Sequence, residues 1–126
     1  MKSLIISAAL VAAVIWGSVS YTAALENVSS QMLELNSEIS AALTEHDFDT
    51  ASNYISSLEG YIDSKATFLS ALNNHLELDN IEMSLSELKR YTEGHSHTDA
   101  LSKCEVLDFL FMHLPKDYRL RLENIL

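Results

Sequence analysis

Two hydrophobic patterns follow one another along this chain. From Ser3 to Leu25 no residue is charged, and Leu4-Ile5-Ile6-Ser7-Ala8-Ala9-Leu10-Val11-Ala12-Ala13-Val14-Ile15-Trp16 is apolar almost throughout. From Leu25 onward the apolar residues become periodic. Leu25, Val28, Met32, Leu35, Ile39 and Ala42 recur at spacings of 3, 4, 3, 4 and 3, the stripe of an amphipathic helix. No breaker stands at the junction, so one helix is expected from the apolar run to about Leu43.

After a polar joint at Glu45-His46-Asp47, a second helix is predicted from Phe48 to about Leu72, with Asp47 as its N-cap. Phe48, Ala51, Ile55, Leu58, Ile62, Leu69 and Leu72 hold one heptad seam, which Lys65 interrupts, and Tyr54, Tyr61, Phe68 and His75 run beside it. A face this wide suits a helix packed on two neighbours. Asn73-Asn74-His75 marks the next turn. Asp79 and Glu82 have capping-box spacing, and a third helix to about Thr92 would turn Ile81, Leu85 and Leu88 inward. Gly94 is placed for a left-handed cap, and Ser96 or Thr98 for the next N-cap. A fourth helix carries Ala100, Cys104, Leu107, Phe111 and Leu114 inward, with Leu101 and Leu110 widening the face. Pro115 removes an amide and crowds the preceding turn, so a break or kink is expected there. Tyr118 to Leu126 reads as a short helix or an extended tail. With 3 Gly and 1 Pro, turns are few and elements long. The expected fold is all-α: an N-terminal transmembrane helix continuing into a small antiparallel bundle of about four helices.

The N-terminus admits two readings. Lys2, the apolar run and either Ser18-Val19-Ser20 or Thr22-Ala23-Ala24 satisfy a cleaved signal peptide. Ser3 to Leu25 also satisfies a membrane span of about 20 residues. The helical stripe that begins at Leu25 without a break favours an uncleaved anchor, residues 1–25, followed by a helical domain, residues 26–126. Lys2 and the free amine place the N-terminus in the cytoplasm and the domain outside it, by the positive-inside rule.

Charge narrows the partners. Beyond Lys2 the chain has 7 Lys and Arg against 18 Asp and Glu, a net charge of −11. Such a surface lacks the basic footprint of nucleic-acid binding, and as a whole it is repelled by anionic lipid.

Candidate chemistry is thin. His95, His97 and Asp99 lie within five residues, with His46 and His75 in other turns. A zinc site needs about four ligands in tetrahedral array, and neither Glu-x-x-His nor His-Glu-x-x-His occurs. The His95/His97 turn is therefore read as solvated, His75 as a buried, hydrogen-bonded side chain, and His113 as a partner for carbonyls near the helix break. Cys104, the 1 cysteine, falls on the core stripe and reads as a buried thiol; Lys103 should point elsewhere. Glu77, Asp79 and Glu82 crowd one turn, but capping accounts for two of them. Arg119 and Arg121 read as solvent-facing. No Gly-x-Ser-x-Gly turn and no glycine-rich phosphate loop is found. No catalytic, cofactor-binding or metal-binding residue is assigned, and an enzyme is not expected.

The apolar N-terminal run, Asp47-Phe48-Asp49-Thr50-Ala51, His75-Leu76-Glu77-Leu78-Asp79-Asn80-Ile81-Glu82 and the terminal Leu122-Glu123-Asn124-Ile125-Leu126 together resemble the short membrane-anchored bacterial proteins catalogued as domain of unknown function 4363. The resemblance spans nearly the whole chain. These motifs are moderately specific as a set and weak singly. Phe68 departs from a tryptophan found nearby in relatives, but keeps an aromatic core residue. The resemblance implies an accessory role at the bacterial envelope and no reaction.

The sequence thus leads to an extracytoplasmic helical interaction module, binding another envelope protein or itself. The alternative is an exported acidic domain that binds a small ligand or cation after signal cleavage.

Overall fold

A computed structural model describes residues 1–71 and 75–125, with side-chain surroundings over 1–71 and 77–116. Five helices make up the described chain, and no strand is found among the described residues. α1 is Lys2–Thr44, α2 Phe48–Ser64, α3 Ala66–Ser70, α4 His75–Glu93 and α5 His97–Ile125. α1 packs on α2 and α5, and α4 packs on the same two helices, so the four long helices form a bundle.

α1 is one uninterrupted helix of 43 residues, about 65 Å long at 1.5 Å per residue. Its two halves differ. Leu25 is the first fully buried residue, and Val28, Met32, Ile39, Ala42 and Leu43 continue the buried stripe. Leu35, expected on that stripe, is half-buried. Before Leu25, the side chains of Leu4, Ile5, Ile6, Leu10, Val11, Val14, Ile15, Trp16 and Val19 are all exposed. This half is long and apolar enough to cross a membrane.

The core joins the α1 stripe to Ala51, Ile55, Leu58 and Ile62 of α2, Leu69 of α3, Ile81, Leu85 and Leu88 of α4, and Ala100, Cys104, Leu107, Phe111 and Leu114 of α5. These are the inward residues that periodicity predicts. Tyr54, Tyr61 and Phe68 pack half-buried against that core, as their spacing beside the seam implies. Asp47 caps α2, its carboxylate accepting from the Thr50 amide at 3.2 Å and the Thr50 hydroxyl at 2.7 Å. Both bonds hold its pKa below the usual carboxylate value.

Four local expectations are corrected. The helix expected to run from Phe48 to Leu72 is interrupted at Lys65, which stands between α2 and α3 at φ −104° and ψ 4°. The seam there offers an apolar site to a charged side chain, whose burial is costly. The break leaves Lys65 half-buried, with Nζ 5.8 Å from the Tyr61 ring centre, where a cation meets a π face. Leu72 lies outside the described residues. α4 begins at His75, so Asp79 and Glu82 stand inside it rather than cap it. The side chain of His75 is outside the described set.

The left-handed cap also moves by one residue. Gly94 keeps a negative φ, and His95 takes φ 55°. The His95 amide donates to Thr92 O at 3.1 Å and the Ser96 amide to Tyr91 O at 2.8 Å, the Schellman pattern with its left-handed residue just past the C-cap. α1 ends in the same way. His46 has φ 57°, its amide donates to Leu43 O at 3.0 Å, and the Asp47 amide donates to Ala42 O at 2.9 Å. Ser96, not Thr98, precedes α5, its hydroxyl donating to the Asp99 carboxylate at 2.7 Å.

Finally, α5 does not break at Pro115 but continues to Ile125. Proline at this position withdraws the amide that would serve the Phe111 carbonyl. The Ser29 hydroxyl of α1 donates to that carbonyl instead, at 2.6 Å and buried from solvent. A neighbouring helix thus supplies the lost donor.

Candidate functional site

α5 has apolar side chains on both sides. Its inward row is used up by the core. On the outward side Val106, Phe109 and Met112 recur three apart and stay exposed, Phe109 at 60%. His113 stacks on the Phe109 ring with centroids 4.0 Å apart, and its Nδ1 lies 2.8 Å from the Phe109 carbonyl oxygen. His113 does meet a carbonyl, but it is that of Phe109 one turn back in an unbroken helix, not one freed by the expected break. Where α5 meets α1, a groove of about 340 Å³ is lined by Glu26, Ser29, Ser30, Leu33, Met112, Pro115 and Lys116. In the sequence the inward stripe alone accounts for a helix, so the outward apolar row is not needed to predict one. Its signal was the second set of apolar positions three apart.

A second cluster forms where the α1–α2 and α4–α5 turns meet. The rings of His46 and His97 stack at 4.2 Å with planes 9° apart, and Phe48 stacks on His95 at 4.4 Å with planes 3° apart. The sequence suggested no such pairing. The clue available was that His46 and His95 each follow a helix end. Parallel rings hold their nitrogen lone pairs in separate, parallel planes, so the His46–His97 pair does not converge on one ion. His95 and His97 each face a different partner. Among the described residues no group of three or more His, Cys, Asp or Glu could hold a metal.

The interface of α1 and α5 also buries polar groups that periodicity did not reveal. Asn36, fully buried, donates through Nδ2 to the Cys104 carbonyl and to Asp108 Oδ1, each at 2.8 Å. Its own Oδ1 is buried without a hydrogen-bond partner. Cys104 is buried and free. Burial, reinforced by the charges of Asp108 and Glu105, pushes its thiol up to about 12, away from the thiolate that nucleophilic chemistry needs. Lys103 points away from Cys104 and pairs with Glu87 of α4 at 2.8 Å. That bond raises the lysine pKa.

The three carboxylates of α4 are not gathered at a cleft. Asp79 and Glu82 are exposed, and Glu77 is half-buried. Glu82 lines a groove with Glu59, Ile62, Asp63, Leu85, Ser86 and Lys89, across which Lys89 reaches Glu59 at 3.5 Å. Arg119 and Arg121 have side chains outside the described set.

The described surface thus includes an exposed apolar half of α1, an exposed apolar row on α5, an aromatic–histidine cluster at two turns, and shallow grooves. No curated protein and no solved structure matches the chain. The profile of domain of unknown function 4363 matches residues 19–125. Since this match takes in the lower end of the apolar helix and the whole bundle, the chain belongs to the domain of unknown function 4363 family.

Proposed function

We propose that this protein is a single-pass anchored interaction module whose bundle stands outside the cytoplasm and docks a partner protein through the outward face of α5. The observation that carries the docking reading is the exposed row Val106, Phe109 and Met112. Outside the anchor, Met83 is the one other large hydrophobic residue of comparable exposure among the described residues. A contiguous apolar row on an otherwise acidic, packed domain is the usual mark of a contact surface. Its centre is an aromatic residue, the type that dominates binding energy at interfaces.

The anchor half of the proposal rests on the continuity of α1. The uncharged stretch from Ser3 to Leu25 is 23 residues, about 34 Å as helix, against a hydrocarbon core of about 30 Å. It runs without interruption into the buried stripe, where a cleaved signal would present an extended site. The bundle is antiparallel in this reading. Asn36 meets Cys104 and Ser29 meets Phe111, so seven residues back along α1 correspond to seven residues forward along α5. No reaction is part of the proposal.

A photoreactive phenylalanine at position 109, compared with one at Glu59 in the opposite groove, tests the reading in intact membranes. Adducts of discrete mass from position 109 alone, lost when Val106→Glu and Met112→Glu are added, are expected. Equal and diffuse labelling from both positions would overturn it. An adduct at twice the chain mass would identify the partner as a second copy.

A further inference from the structure

The exposed row on α5 and the groove beside it share Met112, so they form one surface. The groove follows the seam between α1 and α5. Ser30 and Leu33 belong to its α1 wall, Met112 and Pro115 to its α5 wall. Leu33 packs half-buried against the core, which leaves part of its side chain in the groove. Phe109 stands beside it, one turn of α5 from Met112, its ring stacked on His113 with centroids 4.0 Å apart. An aromatic side chain already held in place loses little freedom on binding, which suits it to be an anchor. An apolar groove along two packed helices fits a third, amphipathic helix.

Charge decides whose helix that is. Glu105 stands one turn before Phe109 and Asp108 one turn before Met112, so carboxylates flank the apolar row. Asp108 is fixed on the α1 side, where its Oδ1 accepts from Asn36 Nδ2 at 2.8 Å. Glu105 is exposed. Neither forms an ion pair among the described residues, and Lys103, close in sequence, is turned to Glu87 of α4. A second copy of this chain answers such a surface poorly. In a two-fold contact the same patch lies on both sides, which sets Glu105 and Asp108 against carboxylates. α1 beyond the span is no better suited, since from Glu26 to Thr44 it has 3 Glu and no Lys or Arg. Between residues 26 and 115 the chain has 4 Lys and Arg against 16 Asp and Glu.

We propose that the groove between α1 and α5 receives a basic amphipathic helix of a different protein held in the same membrane. Its apolar side lies on Phe109, Met112 and Leu33, and its Lys or Arg side chains reach Glu105 and Asp108. The proposal rests on the docking reading of the α5 face and adds the chemistry of the partner. Because the groove runs along α1, a helix seated in it points along α1 toward the bilayer and its own span. Opposite charges steer the encounter and set the orientation, and the covered apolar side chains hold the pair together.

The test uses the full chain in phosphatidylcholine nanodiscs, whose lipid carries no net charge. The probe is a fluorescently labelled helical peptide with Leu along one face and Lys at its remaining positions, beside a copy in which Glu replaces every Lys. Binding to empty nanodiscs is subtracted. The Lys peptide should bind and the Glu peptide should not. Phe109→Ser should abolish binding. Glu105→Lys should weaken it about fivefold, the scale of reversing one exposed charge contact, and high salt should remove that difference. Glu82→Lys makes the same change of charge in the groove between α2 and α4 and should leave the affinity unaltered. Equal losses from Glu105→Lys and Glu82→Lys would mean attraction to net charge alone and would overturn the site. A Lys peptide that fails to bind, or a Glu peptide that binds as tightly, would overturn the basic partner. If position 109 still gives discrete photo-adducts in membranes, the docking reading survives that failure; without them it falls as well. An adduct at twice the chain mass would seat a second copy in the groove and overturn the proposal.

Discussion

At Pro115 a rule of local structure is broken and then repaired from 86 positions earlier in the chain. The Ser29 hydroxyl takes the place of the amide that proline lacks, at 2.6 Å from the Phe111 carbonyl. If that is its main role, Ser29→Ala should cost about 1–3 kcal/mol, the range for stranding a buried acceptor. The penalty should shrink to less than about 1 kcal/mol in a Pro115→Ala background, where the backbone amide returns. A double-mutant cycle by chemical denaturation of the full chain in detergent measures the coupling. Equal costs in the two backgrounds would refute the compensation. Cys104 gives a second prediction at this scale. Its thiol rises from an ordinary value of 9.0 to about 12, so the folded state keeps a proton that the unfolded state releases. The stability it contributes is intact below pH 9 and is lost as pH climbs toward 12, at roughly 1.4 kcal/mol per unit. The stability gap between the native chain and Cys104→Ala should close over that window. A gap that stays constant with pH would mean the thiol is open to solvent.

At the scale of the helix, periodicity was a reliable guide because burial repeats every three or four residues wherever a helix lies on a core. That rule identified the α1 stripe, the α2 seam, Ile81, Leu85 and Leu88 of α4, and the inward row of α5. It failed where the deciding partner is distant in sequence or where a local signal has more than one use. The Asp79–Glu82 spacing fits a cap and a second helical turn equally well. Gly94 offers a left-handed residue, but the observed hydrogen bonds give that conformation to His95. The stacking of His46 on His97 joins two turns about 50 residues apart, and nothing in either turn announces the other. Asn36 and Ser29 lie on the α1 stripe as polar residues, invisible to a search for apolar ones. The faces themselves can be tested. Ile55→Ala, Leu58→Ala and Leu107→Ala should each cost about 2–5 kcal/mol. Val106→Ala and Phe109→Ser, on the outward side of α5, should each change stability by less than about 0.5 kcal/mol, as surface substitutions do. Denaturation curves that rank the two sets together would mean the faces of α5 are misassigned.

For the whole molecule, the decisive physical fact is the contrast between the halves of α1. Nine large apolar side chains from Leu4 to Val19 are exposed on a helix that from Leu25 onward is built into a core. In water such a row carries the cost of exposed apolar surface, a cost that a bilayer would remove. If the span stays attached, the bundle and its α5 face are confined to the membrane surface, which raises the effective concentration of any partner in the same membrane. The expected outcome is that the membrane-bound protein has the intact mass of the full chain, with Met1 present or removed. Protease added from outside the cell should digest the bundle while leaving an N-terminal fragment protected by lipid. The positive-inside argument rests on Lys2 and the free amine alone, so adding Lys residues just after Leu25 should compete with it and invert part of the population. A mature N-terminus near Tyr21 or Leu25 would sink the anchored arrangement. The bundle would then leave the membrane, and the apolar row on α5 would have to find its partner in solution.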